Sequence, residues 1–211
     1  MRKTKVSFSS GGLVLEGILA IPEGAGPFSA VIVCHPHPLY GGSMDNNVVN
    51  SLSETLTRAS LASLKFNFRG VGGSQGEFGQ GIGEREDVEA AISFVSTVKG
   101  VDSEKIGLAG YSAGAGFALS VGFNDNRIKA LAAVSPPIPM FDFDFLKSCL
   151  KPKLLISGSR DDLIPINQLL EFCQSLPEPK ECESIEGADH FWWGYESILT
   201  VKVTAFFTKV L

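Results

Sequence analysis

The chain has 211 residues, a formal net charge of −5, and 44% apolar against 19% charged residues. A chain of this length fits one domain and buries roughly 70% of its unfolded surface, so it needs neither disulfides nor a metal to fold. The apolar content and a mean hydropathy of +0.16 exclude disorder, and an acidic balance without any basic block excludes general nucleic-acid or anionic-membrane binding.

The N-terminus, Met1-Arg2-Lys3-Thr4-Lys5, has the charge of a signal-peptide start. Gly11, Gly12 and Glu16 interrupt the apolar stretch that follows, so it reads as mature sequence. Val6 and Phe8 alternate with polar residues, and a Ser9-Ser10-Gly11-Gly12 turn leads into Leu13, Leu15, Gly17, Leu19 and Ile21 on one extended face. This predicts an antiparallel hairpin. Ala30–Cys34 is a continuous apolar run, expected of a strand buried on both faces. Further strands are predicted over Ala62–Phe68, Lys105–Gly110, Ala130–Ser135, Lys153–Ser157 and Glu181–Ile185. Helices are predicted between and after them, over Asp45–Arg58, Glu84–Val98, Ala113–Phe123, Asn167–Ser175 and Tyr195–Val210. The alternation predicts an α/β fold over residues 1–211: a mostly parallel twisted sheet, the N-terminal hairpin at one edge, and helices on both faces. Pro136–Leu150 is too short for a second domain and reads as a connection.

No apolar run approaches the ~18 residues of a membrane span, and a cytoplasmic location is expected. Cys34, Cys149, Cys173 and Cys182 are scattered and form no C-x-x-C, so four reduced thiols are expected. Glycine is in excess, at 23 residues, or about 11% against a usual ~7%. Thirteen of the 23 lie at or just after the ends of predicted strands, where they would surround one site.

Gly110-Tyr111-Ser112-Ala113-Gly114 fits G-x-S-x-G, following a predicted strand and opening a predicted helix. Such a strand-to-helix turn projects the serine hydroxyl above the sheet, and large side chains two positions away on either side would collide. Ser112 is therefore the candidate nucleophile. A serine nucleophile needs a base and an orienting acid, which follow in the order Ser, Asp, His in this strand–helix arrangement. Of the three histidines only His190 lies downstream, in the loop after the predicted strand ending at Ile185. The strand Lys153–Ser157 runs into Gly158-Ser159-Arg160-Asp161-Asp162, where Asp161 and Asp162 compete as the acid. Asp189 adjoins His190, and sequence neighbours in a loop rarely point at each other.

An oxyanion hole needs two N–H donors, the first from Ala113, the residue after the nucleophile. The second is sought in His35-Pro36-His37-Pro38-Leu39-Tyr40, where both prolines lack an N–H. His37 is selected, with Leu39 the alternative. His35-x-His37 also has the look of a metal pair, but a third and fourth ligand are missing, so neither metal nor cofactor is expected. A role for His35 in hydrogen-bonding its loop fits better. The glycine-rich run from Gly70 resembles a nucleotide loop but has Gln75 in the sixth position of G-x-G-x-x-G. It reads as a tight loop beside the site. Tyr40, Phe141, Phe143, Trp192 and Trp193 are candidates for an apolar substrate pocket.

From Ala30 to the end, the chain resembles the α/β-hydrolase superfamily. The motifs are His35-Pro36-His37-Pro38, Asn67-Phe68-Arg69-Gly70-Val71-Gly72-Gly73-Ser74, Gly110–Gly114, Gly158–Pro165 and Asp189-His190-Phe191. Superfamily members commonly place glycine, two residues, aspartate, three residues and proline in the acid turn, and this pattern selects Asp161. Within the superfamily the chain is similar to small, lid-less bacterial hydrolases with a His-Pro-His-Pro loop, near the dienelactone-hydrolase-like and peptidase-like branches. It departs from dienelactone hydrolases in having serine where they have cysteine, and it has no large cap. The resemblance implies a serine hydrolase acting on small to medium esters or thioesters. A hydrolase of short peptides and a non-catalytic binding module are the alternatives. The module predicts a broken triad, and the three residues are all present. Oligomeric state is not legible.

Overall fold

The computed structural model describes all residues, Met1–Leu211. Eight strands form one sheet: β1 (Arg2–Ser10), β2 (Leu13–Ile21), β3 (Phe28–Cys34), β4 (Ala62–Phe66), β5 (Val101–Tyr111), β6 (Ile128–Val134), β7 (Lys153–Gly158) and β8 (Lys180–Ile185). Their order is β1-β2-β4-β3-β5-β6-β7-β8. The β1–β2 and β2–β4 pairs are antiparallel, and every later pair is parallel. Five helices complete the fold: α1 (Asn47–Arg58), α2 (Ile82–Ser96), α3 (Ala113–Gly122), α4 (Ile166–Gln174) and α5 (Glu196–Val210).

Side chains alternate across each strand and so feed two cores. Ile32, Cys34, Ile106 and Leu108 face α2, α3 and α4, while Val31, Val33, Ala109 and Tyr111 face α1 and α5. The parallel strands are therefore buried on both sides, which explains their unbroken apolar runs. Chain order reverses about β3, with β4 on one side and β5 on the other. A crevice opens at such a reversal beyond the carboxyl ends of the strands. Cys34 pairs with Gly110 there, so the segments after β3 and β5 emerge side by side.

Element ends differ from expectation where side chains intervene. β4 stops at Phe66 because the Phe68 N–H turns to His35 and the Asn67 side chain turns to Met44. α1 starts at Asn47 because the Asn46 side chain accepts from Val48 N at 2.9 Å, capping it. α2 starts two residues early, where buried Glu84 accepts from Gly81 N at 2.7 Å and Gly79 N at 2.8 Å.

The expectation of four reduced thiols is overturned. Cys173, in α4, and Cys182, in β8, form a disulfide with Cα atoms 6.4 Å apart, while Cys34 and Cys149 are free and buried. α4 packs against β8, and this tertiary approach, absent from any sequence spacing rule, brings the two side chains within bridging geometry. No helix is long and apolar enough to cross a membrane.

Candidate active site

The turn after β5 holds Ser112 at φ 54°, ψ −125°, a region side chains rarely adopt. The flanking glycines follow from sterics. A Cβ on Gly110 would overlap the Gly114 carbonyl and Ala115, and one on Gly114 would overlap the His35 and Cys34 carbonyls. The Ser112 N–H is anchored to Val134 O at 2.8 Å.

His190 sits in the loop after β8, with Nε2 3.1 Å from Ser112 Oγ. Its Nδ1 lies 2.9 Å from Asp161 Oδ2 and 3.1 Å from Oδ1. A carboxylate only accepts, so Nδ1 carries the proton and the Nε2 lone pair faces Ser112. That arrangement can draw a proton from the serine hydroxyl. Asp161 follows β7 and its side chain is fully buried. Its Oδ1 accepts from Ile164 N at 2.8 Å and Leu163 N at 3.1 Å. Burial opposes its ionisation, but hydrogen bonding and charge from His190, with the Ile164 N–H, outweigh burial and hold its pKa below the ordinary carboxylate range. Asp162 is exposed. Asp189 is turned away from the imidazole and accepts from Phe191 N and Trp192 N at 2.9 and 3.0 Å.

The N–H groups of Ala113 and His37 donate to no protein acceptor. Leu39 N, the alternative donor, is engaged with His37 Nδ1 at 3.2 Å. His35 is a tie within its loop: Nδ1 donates to Pro36 O at 2.7 Å, and Nε2 accepts from Phe68 N at 3.1 Å. Glu16 and Asn67 brace the glycine-rich loop alongside it. Asn67 Nδ2 donates to Glu16 at 2.6 Å and Asn67 Oδ1 accepts from Met44 N at 2.8 Å. No three His, Cys, Asp or Glu residues cluster in a metal-binding arrangement.

Burial lowers the pKa of His35 from its ordinary 6.5 to about 4. The unfolded chain takes up a proton first as pH falls through 6.5, whereas the native state resists until about 4. Native stability is thus complete above 6.5 and declines by about 3 kcal/mol as pH falls to 4. Urea midpoints at pH 7, 5.5 and 4 measure this loss, and His35→Gln should show a shallower decline. An equal decline in that variant would exclude His35 as its source.

A cleft of about 510 Å³ opens beside His37, lined by Phe78, Gln80, Arg85, Phe117, Phe141 and Phe145 among others. Of the five predicted pocket residues only Phe141 lines it. Phe143 is 2% exposed and belongs to the core. Tyr40 is 87% exposed and packs on the outside of His37, with rings 4.7 Å apart. Trp192 is fully buried in the core against α5, and Trp193 is 69% exposed on the surface. Two residues the sequence did not flag stand out, one lining the cleft and one bracing the histidine loop. Arg85 donates from Nε to Gly81 O at 2.8 Å, which fixes its guanidinium at the cleft, and its terminal nitrogens have no protein acceptor. Tyr111 donates to His190 O at 2.7 Å and so fastens the histidine loop.

A family profile described as an alpha/beta hydrolase domain matches residues 30–197. An uncharacterised protein of Rickettsia prowazekii is 34% identical over 169 residues, spanning 76% of this chain and 71% of that protein. A solved structure described as an alpha-beta serine hydrolase homologue from Coxiella burnetii has a TM-score of 0.87 and 33% identity, and covers 97% of both chains. A thiohydrolase of Arthrinium phaeospermum is 34% identical over 140 residues, spanning 64% of this chain but 44% of that enzyme.

Proposed function

Because the chain belongs to the alpha/beta hydrolase domain family, we propose that it is a serine hydrolase that cleaves small to medium carboxylic esters or thioesters through an acyl-enzyme. The observation that carries this reading is the unbroken set of hydrogen bonds from Ser112 Oγ through His190 to buried Asp161, with Ser112 on a strained turn. Ser112 Oγ attacks the carbonyl carbon while His190 Nε2 takes its proton. The tetrahedral oxyanion is held by the Ala113 and His37 N–H groups, each worth roughly 3–4 kcal/mol if aligned. His190 then gives the proton to the departing alcohol or thiol, and Ser112 remains acylated. Water repeats the sequence, losing a proton to His190, and the acid departs from Ser112. Asp161 fixes the imidazole tautomer throughout. In this reading residues 1–211 form one catalytic domain.

The cleft supports the substrate class. Its phenylalanines favour an apolar acid part, and the similarity to a thiohydrolase supports thioesters beside oxygen esters. Arg85 offers its free nitrogens to an anionic group on the substrate. In a panel of p-nitrophenyl esters from acetate to palmitate, kcat/KM should peak at or below octanoate; a palmitate optimum would contradict the reading. Arg85→Gln should lower kcat/KM about 5–10-fold for a p-nitrophenyl ester ending in a carboxylate and leave the butyrate unchanged. Equal losses on both esters would remove Arg85 from substrate recognition.

A further inference from the structure

Three buried groups outside the reacting trio line up behind Asp161. The Trp192 indole Nε1 lies 3.1 Å from Ser135 Oγ, Ser135 Oγ lies 3.3 Å from Ser157 Oγ, and Ser157 Oγ lies 3.1 Å from Asp161 Oδ2. Trp192, Ser135 and Ser157 are each 0% exposed. The direction of the chain is forced. An indole N–H only donates and a carboxylate only accepts. Ser157 spends its single proton on Asp161, so the Ser135–Ser157 contact is made by the proton of Ser135, and Ser135 in turn accepts from Trp192.

Two of these residues hold backbone conformations that side chains rarely adopt, Ser135 at φ 44° and Trp192 at φ 63°. Each lies where its chain turns away from a catalytic element. Ser135 follows β6, with its N–H bonded to Ile156 O at 2.8 Å, and Trp192 follows His190 by two residues. The Trp192 turn is itself held by Asp189, which accepts the Trp192 N–H. The backbone thus aims both side chains inward, toward the acid, at a conformational cost.

We propose that Trp192, Ser135 and Ser157 form a one-way hydrogen-bond relay that positions Asp161 and tempers its charge, making them positioning residues for the hydrolytic reaction. No proton travels along it. Each donor polarises the next, so the Ser157 hydroxyl is a stronger donor with the relay intact than without it. The relay also holds the carboxylate in place: Oδ2 receives Ser157 and the nearer contact of His190 Nδ1, while Oδ1 takes the Leu163 and Ile164 N–H groups. Asp161 is thereby prevented from rotating away when the imidazole gains charge. The relay explains why Trp192, rather than Trp193, is drawn inward, a feature that substrate contact does not explain.

This inference rests on Ser112, His190 and Asp161 as the reacting groups, and the test keeps the two apart. The groups that face Asp161 are His190, the Ser135 and Ser157 hydroxyls, and the Tyr111 ring, with Asp189 further along the His190 loop. Removing a donor leaves the Asp161–His190 pair holding its proton more tightly, whichever member carries it. Ser157→Ala should lower kcat about tenfold, change KM by less than about twofold, and move the acid limb of kcat/KM to higher pH by about half a unit. Trp192→Phe, which keeps an aromatic ring in the core, should shift the limb the same way by less. The double variant should match Ser157→Ala alone, because the relay is already cut at its last link. Ser157→Thr, which keeps the hydroxyl, should restore the wild-type limb. Fluorophosphonate labelling at Ser112 in every variant shows that the nucleophile survives. An unmoved acid limb in a labelled Ser157→Ala enzyme would overturn the relay, as would additive effects in the double variant. Failure of the wild type to label would instead overturn the reacting trio.

Discussion

Replacing Asp161 by Asn should lower kcat about 10⁴-fold, whereas Asp162→Asn should change it by less than about twofold. The two residues are adjacent but their surroundings differ completely. The Asp161 side chain is fully buried and accepts from His190 Nδ1 at 2.9 Å, while Asp162 is exposed. An amide at position 161 can turn its oxygen to the Leu163 and Ile164 N–H groups and so keep the turn folded. Its NH₂ then faces Nδ1. That contact selects the imidazole tautomer with the proton on Nε2, and such a histidine cannot accept the Ser112 proton. The loss therefore falls on kcat, not on KM, and an unchanged melting temperature would show that the fold survives. Should Asp162→Asn prove the damaging change, or Asp161→Asn stay within tenfold of wild type, the assignment of the acid is wrong.

Much of the site was legible because it depends on local sterics. The G-x-S-x-G spacing at Gly110–Gly114 reflects backbone collisions within a few residues and with the neighbouring strand end. The buried runs of β3, β5, β6 and β7 carry their strand identity in composition alone. The two prolines at 36 and 38 left few N–H groups to choose among, and the Leu39 N–H is spoken for by His37. The glycine excess also proved informative, since Gly81, at φ 85°, starts α2 at the rim of the cleft.

What failed depended on side-chain direction in irregular segments. Trp192 and Trp193 are neighbours of one type, and nothing in their composition says that a turn at φ 63° sends the first into the core and leaves the second on the surface. The alternation Phe141, Phe143, Phe145 looked uniform, yet it runs into a 3₁₀ turn over Asp144–Ser148, which splits the three between core and cleft. Phe78 reaches the cleft from a glycine-rich loop without any periodicity, and Arg85 from the first turn of α2 just after it. Cys173 and Cys182 required the packing of α4 on β8 before their pairing had meaning. Ser135 and Ser157 look like ordinary strand-end serines until β6 and β7 stand side by side with the Trp192 indole above them.

With Ser112 as the nucleophile, Ser112→Ala should lower kcat about 10⁶-fold on any ester the wild type cleaves. The serine is held above the sheet by a turn at φ 54°, its hydroxyl 3.1 Å from the only histidine downstream of it, with the free Ala113 N–H beside it at the start of α3. Alanine removes only the oxygen, so the turn and the core beneath it should persist. The most direct measurement is labelling with a fluorophosphonate, followed by mass spectrometry of the labelled peptide. One adduct, on Ser112, is expected in the wild type and none in folded Ser112→Ala. An adduct on another residue, or labelling that persists in the variant, would contradict Ser112 as the nucleophile.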